Sequence, residues 1–257
     1  MTPVALIARH VFRDGARDRV LLALSVCAVI LLLSGVAVAG TSAGQTTRVL
    51  RDIGLATIEL TGVLLVVGLG AVQVTHERQR RTVYALLARP LARWHIIVGT
   101  YCGIAATVVV HVTLLGGALA VADAWAGGAL PRTGLVQALV LIAGALIMLL
   151  AVALLLATVS SRPLLAGAMT LGVWVVGQLS EDLQTFTAAG VVVVEVVVQS
   201  LGHLVPQFAA FDAKAAAVHP DVAVSWGFVG FTLAYAGAYV VAMVSAAVAV
   251  FSQQELP

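Results

Sequence analysis

Six apolar stretches, at 20–40, 55–75, 96–122, 134–158, 164–179 and 225–251, constrain this chain more than any other feature in it. A hydrocarbon core about 30 Å thick is crossed by about 20 predominantly apolar helical residues, and five of the six stretches reach that length. The fifth is shorter, with an extension past Ser180 left open. Composition points the same way: 61% of residues are hydrophobic and 10% are charged. A soluble domain carries about 25% charged residues, so this chain has too little polar side chain to coat a globule. The reading is an all-α polytopic membrane protein, residues 1–257 forming one transmembrane domain with six transmembrane helices.

Orientation follows from where the basic residues fall. With the N-terminus inside, the inner segments hold Arg9, Arg13, Arg17, Arg19, Arg78, Arg80, Arg81, Arg89, Arg93 and Arg162. The outer segments hold Arg48, Arg51, Arg132 and Lys214. The bias predicts N-in, and six crossings return the C-terminus to the inside. Trp94 and Trp125 stand at opposite ends of the third stretch, where interfacial aromatics are expected. Ala37-Val38-Ala39 ahead of Gly40 has the look of a signal cleavage site. Nineteen residues precede the apolar run, however, and the run continues for a full span, so it reads as a retained helix. Cys27 and Cys102 both fall inside apolar runs without a CxxC or His-rich companion, which predicts small buried residues rather than a disulfide or metal framework.

Two segments outside the spans carry pattern. In 1–19, Val4, Ile7, Ala8, Val11 and Phe12 recur at helical spacing opposite Arg9, Arg13 and Arg17, as in an amphipathic helix at a membrane surface. The outer segment 181–224 contains an apolar stretch, 190–204, interrupted by Glu195, Gln199 and His203 at i, i+4 and i+8 on one helix face. About 15 residues is short for a span, so this predicts an interfacial or re-entrant helix. A seventh span there would move the C-terminus outside.

The most informative stretch is 76–95, between the second and third spans. Glu77 and Arg81 stand four apart and can pair on a helix. Val83, Leu87 and Leu91 line one face, Pro90 disfavours helix at Arg89, and Trp94 follows. The pattern predicts a short amphipathic helix, a turn, and a return to the membrane at Ile96. A basic inner loop that merely satisfies the topology rule would need neither the apolar face nor the helix–Pro–aromatic order.

This stretch resembles the signature of ABC-2 type permeases, particularly the nitrous-oxide-reductase maturation and gliding-motility permeases. These read Glu-Arg-x-x-Gly-Thr, then a Leu-Leu pair, then Arg-Pro-x-x-Arg-Trp. The matching residues here are Glu77, Arg78, Thr82, Leu86, Leu87, Arg89, Pro90, Arg93, Trp94 and Gly99. Arg81 stands where Gly is usual and Thr100 where Lys is common. Residues 204–212, containing Pro206 and Phe208, are similar to the family's Leu-Pro-x-x-x-Phe element before the last span. The ending from Phe251 to Leu256 is similar to the family's, with Gln253 and Gln254 where arginines are usual. The resemblance implies a cytoplasmic coupling helix at 76–95 that sits in a cleft of a separate ATPase. Glu77, Arg78, Thr82, Tyr84, Leu87, Arg89, Pro90 and Arg93 would contact or position against it. It further implies a permease homodimer in a complex of two permeases and two ATPases, in a bacterial cytoplasmic (inner) membrane. ATP and Mg would be held by the partner, with no cofactor bound by this chain and no nucleic acid involved.

What is missing is consistent with that division of labour. A phosphate-cradling loop, Gly-x-x-x-x-Gly-Lys-Ser/Thr, needs its lysine on the terminal phosphates, and the single lysine here, Lys214, is followed by alanines. His-Glu-x-x-His does not occur, and the Gly-x-Ser-x-Gly at Gly40 to Gly44 follows an apolar run rather than the strand a nucleophile elbow requires, so the chain reads as no enzyme in itself. Ionisable and polar groups at membrane depth are candidates for a pathway or outer gate: Glu59 and Gln178, with His111 and Glu195. Three of the four have a plainer explanation. Glu59 lies near an interface, His111 suits a neutral helix-packing hydrogen bond, and an interfacial helix accounts for Glu195. The other functional class to weigh is a nucleotide-independent secondary transporter or a membrane scaffold, and 181–224 could also meet a periplasmic partner. A secondary transporter is expected to carry repeated halves or paired broken helices, and neither is visible in the sequence.

Overall fold

The structure is a computed structural model, and it describes residues 3–16, 19–41, 45–79, 93–127, 133–160, 162–179, 206–218 and 224–253. Every regular element among them is helical: α1 (Pro3–Ala16), α2 (Arg19–Thr41), α3 (Thr46–Gln79), α4 (Arg93–Trp125), α5 (Thr133–Val159), α6 (Pro163–Gln178), a 3-10 turn (Ala209–Phe211), α7 (Lys214–Val218) and α8 (Trp226–Gln253). Of these, α2, α3, α4, α5 and α8 are long and apolar enough to cross a membrane. The chain is a multi-pass membrane protein.

Two elements differ from the sequence expectation in an instructive way. Helix α3 starts at Thr46 rather than at residue 55, and its apolar window runs Thr46–Gly70. Glu59 therefore lies near the middle of that window instead of near its end. Helix α6 has 16 residues, about 24 Å of helix, less than the hydrocarbon thickness of about 30 Å. Its start is dictated locally. Pro163 occupies the first turn, where its missing N–H costs nothing, and it holds Arg162 in the extended conformation (φ −122°, ψ 125°) that the residue before a proline prefers. That bend separates α5 from α6.

Helix α5 is the centre of the bundle, packing against α3, α4, α6 and α8. In its apolar window 61% of residues are buried, against 17% in α2 and 11% in α8. All three are strongly apolar, so hydropathy alone does not separate an interior helix from a peripheral one. Leu22, Val26, Ile30 and Leu33 on α2, with Phe228, Phe231 and Val241 on α8, point outward, as suits lipid contact. Cys27 and Cys102, expected to be buried, are exposed instead. Both belong to outward faces, where an apolar neighbourhood in sequence means lipid rather than core.

Close approach between helices depends on absent side chains. At Gly62 of α3 a Cβ would collide with Leu146 of α5. Gly99 and Gly103 of α4 receive Ile7 and Val11 of α1, whose Cβ atoms would lie 2.8 and 2.7 Å from an added methyl. The apolar side of α1 thus packs on the first turns of α4, with Leu6 left exposed. Phe251 near the end of α8 clusters with Ile97, Leu154 and Ala157. Residues 7 and 251 consequently lie at the same end of the bundle, the end where α3 finishes and α4 begins.

Candidate functional site

The opposite end of the bundle, along the first half of α3, holds the polar groups that the described residues bring together. The first cluster is fully buried. Arg51 donates from Nε to Asp123 Oδ1 at 2.8 Å and from Nη2 to Asp123 Oδ2 at 2.6 Å. The side chains are 6% and 3% exposed. This is the paired fork geometry that makes arginine the preferred partner for a carboxylate away from water. A third donor, Nη1, reaches the Ala217 carbonyl of α7 at 3.1 Å.

Two turns further along α3, Glu59 binds different elements with its two oxygens. Gln178, the last residue of α6, donates from Nε2 to Oε1 at 2.6 Å. Lys214, the first residue of α7, reaches Oε2 at 2.5 Å. The side chains of Lys214 and Glu59 are 22% and 13% exposed, so water has access to this junction that it lacks at Arg51. Asp212 shapes the approach: its Oδ1 accepts from the Lys214 backbone N–H at 3.1 Å, an Asx-type turn, and its Oδ2 lies 3.7 Å from the ammonium. Burial alone would lower the Lys214 pKa. The hydrogen bond to Glu59 and the charges of Glu59, Asp212 and Asp52 outweigh it, and the pKa is raised.

A third contact lies on the other side of α3. Thr61 Oγ1 is 3.1 Å from His111 Nε2 on α4. The hydroxyl has one proton, and its 2.7 Å bond to the Thr57 carbonyl uses it. In the tautomer that carries its proton on Nε2, the ring donates to Thr61. Thr57 bonds back in the same way to Ile53 at 2.8 Å, so two hydroxyls on α3 are satisfied within their own helix.

The structure thus joins Glu59 and Gln178 directly. It sets His111 against Thr61, two residues beyond Glu59 on α3 and on another face of that helix. Glu77 and Arg78 lie in the last turn of α3, and Arg93 is the first residue of α4. Thr82, Tyr84, Leu87, Arg89, Pro90 and Glu195 lie outside the described residues. Thr100, at the position where the resembling family commonly has Lys, is buried, and its hydroxyl has no hydrogen-bond partner among the described residues.

Sequence reasoning missed Arg51, Asp123 and Lys214. A signal for the first two was present. Arg51 precedes the second apolar stretch and Asp123 follows the third, so antiparallel neighbours put both at one end. Lys214 is the chain's single lysine, next to an aspartate on a short alanine-rich segment, and its partner is 155 positions away by subtraction of the residue numbers (214 − 59). No three or more His, Cys, Asp or Glu residues are grouped as a metal site among the described residues. No protein-family model matches the chain, and no curated protein matches it.

Proposed function

We propose that this chain is the membrane-spanning permease subunit of an ATP-driven, ABC-2 type transporter whose ATPase is a separate protein. The observation that carries the reading is the stretch 76–95, with its Glu77–Trp94 motif, standing between the two longest helices. Helix α3 has 34 residues and leads into it; α4 has 33 and leads out. A partner that shifts this connection moves both helices as levers. Motion would then reach Glu59, 20 positions before Gln79 and so about 30 Å along α3. Rigid-body transmission of this kind is a standard way for a packed helical unit to switch.

In this reading α6 completes six crossings with both termini inside the cell, and two copies of the chain assemble with two ATPases in the inner membrane. ATP and Mg belong to the partner; Glu77, Arg78, Thr82, Tyr84, Leu87, Arg89, Pro90 and Arg93 form or position the contact with it. The end carrying Arg51, Glu59 and Lys214 then faces outward.

Co-purification is the test. The tagged chain is expected to retain an ATPase subunit with a Walker motif, and Glu77→Ala or Arg89→Ala should weaken that retention at least about tenfold, as central contacts do in other interfaces. Unchanged retention in both variants would sink the coupling assignment. Transport that persists after ATP depletion would favour the nucleotide-independent alternative.

A further inference from the structure

Residues 206–218 form a strap across the end of the bundle between α6 and α8, and they are held there in two different ways. Apolar anchors secure one part. Phe208 is buried over Gly177 of α6, where an added Cβ would strike the ring and lie 2.6 Å from the Pro206 carbonyl. Phe211, also buried, sits against Gly144 of α5, its ring 3.3 Å from where a Cβ would be. Beyond the strap, buried Gln137 donates to the Val224 carbonyl at 2.9 Å and ties the chain to α5 before α8 begins. These contacts carry no charge and lie in packed surroundings.

The strap's charged contacts are with α3, while α7 also packs on α5 with Ala217 buried. One part is the Arg51 bond to the Ala217 carbonyl. Losing it would leave the guanidinium still paired with Asp123, so the loss exposes no bare charge. The other is the Lys214–Glu59 pair, with Gln178 on the second carboxylate oxygen. Helix α7 has five residues, far too few to persist unless packing holds it. The exposed Asp212 carboxylate, 3.7 Å from the ammonium, offers Lys214 a second partner. Separation from Glu59 therefore need not strand a cation.

We propose that the Lys214–Glu59 pair is a releasable latch. Lys214 lets go of Glu59, α7 lifts from α3 while Phe208 and Phe211 keep the strap attached, and the Glu59–Gln178 contact between α3 and α6 opens to water. The inference rests on the transport reading, in which this end must open for cargo to pass. It assigns Lys214 as the moving part and Glu59 with Gln178 as the lining that opening uncovers. The Arg51–Asp123 pair stays closed throughout.

The experiment is thiol labelling of the full-length chain in phosphatidylcholine vesicles, with Cys27→Ala and Cys102→Ala removing the native thiols and Gln178→Cys as reporter. A membrane-impermeant methanethiosulfonate reads its accessibility. With Lys214 present, labelling should be slow. Lys214→Met should speed it at least about fivefold, the factor that goes with losing one modest ion pair. Lys214→Arg should keep it slow, and the swapped pair Glu59→Lys with Lys214→Glu should restore protection. If Lys214→Met does not fold, the neutral pair Glu59→Gln with Lys214→Gln replaces it, and the same acceleration is expected. Equal labelling rates with and without the charge pair overturn the latch. No ATPase or nucleotide takes part, so that result would leave the permease reading standing. Loss of ATPase co-purification, conversely, would remove the permease reading and leave the labelling result as measured.

Discussion

The two ion pairs on α3 use the same chemistry for opposite ends. Arg51 and Asp123 are both interior, meet through two hydrogen bonds, and join neighbouring long helices at one level. Glu59 and Lys214 are partly wet, and Lys214 comes from a five-residue helix. Removing charges from water costs several kcal/mol per ion, roughly, and a buried pair offsets it only with good geometry. The Arg51 pair has that geometry and no room to exchange with water. The Glu59 pair sits where screening and solvation make separation easy. One is suited to fixing register between α3 and α4, the other to opening and closing.

The largest expected effect breaks the first pair. Asp123→Ala leaves Arg51 buried with, among the described residues, only the Ala217 carbonyl for a partner, and should cost about 3–5 kcal/mol. Thermal unfolding in detergent measures it. Arg51→Met with Asp123→Leu should recover most of that loss, because an apolar pair of similar size carries no desolvation penalty. Should Asp123→Ala cost no more than Lys214→Met, the distinction between the two pairs is wrong.

An intermediate effect is expected where the strap is anchored. Gly177→Ala puts a methyl against Phe208 and the Pro206 carbonyl. Backbone cannot step aside as a flexible side-chain tip can, and overpacking of this kind costs about 1–3 kcal/mol. The contrast between anchor and latch sharpens in the labelling assay, where Gly177→Ala should raise Gln178→Cys reactivity without any change of charge. Destabilisation with unchanged reactivity would mean that the Phe208 anchor and the latch act independently.

The contrast between the pairs also explains what is legible in the sequence. Span lengths and the interruption at Pro163 are local properties, and the helical plan follows from them. Hydropathy misplaces the start of α3 because Arg48, Arg51 and Asp52 lower it there. Arg51 is tolerated in an apolar bundle through Asp123, 72 positions away, which no sequence window contains. Glu59 and Gln178 stand out as isolated polar residues among apolar ones, but that they touch is a consequence of how α6 packs on α3. Lys214 escapes notice for the opposite reason. In a short alanine-rich segment outside the spans a lysine looks ordinary, and only the fold carries it to Glu59. Cys27 and Cys102 mislead because an apolar run reads alike whether its outer face meets protein or lipid.

The smallest expected effect concerns pH and tests the open pair alone. The folded pKa of Lys214 is raised above its unfolded value, which is about 10.4. Folding therefore favours the protonated form, and the pair's contribution is fully present below about pH 10.4. It is lost as pH rises through the higher folded value. Stability traceable to Lys214, taken as the difference in unfolding temperature between the native chain and Lys214→Met, should be flat from about pH 6 to 9 and shrink above about pH 10.5. A partly exposed pair contributes at most about 1 kcal/mol, so the difference is small, and added salt should reduce it further. Arg51 and Asp123 set the opposite standard. The double variant Arg51→Met with Asp123→Leu keeps Lys214, so its difference from the native chain should not carry the Lys214 response. A loss of equal size in both differences would mean that the response does not come from Lys214, and the latch would lose its physical basis.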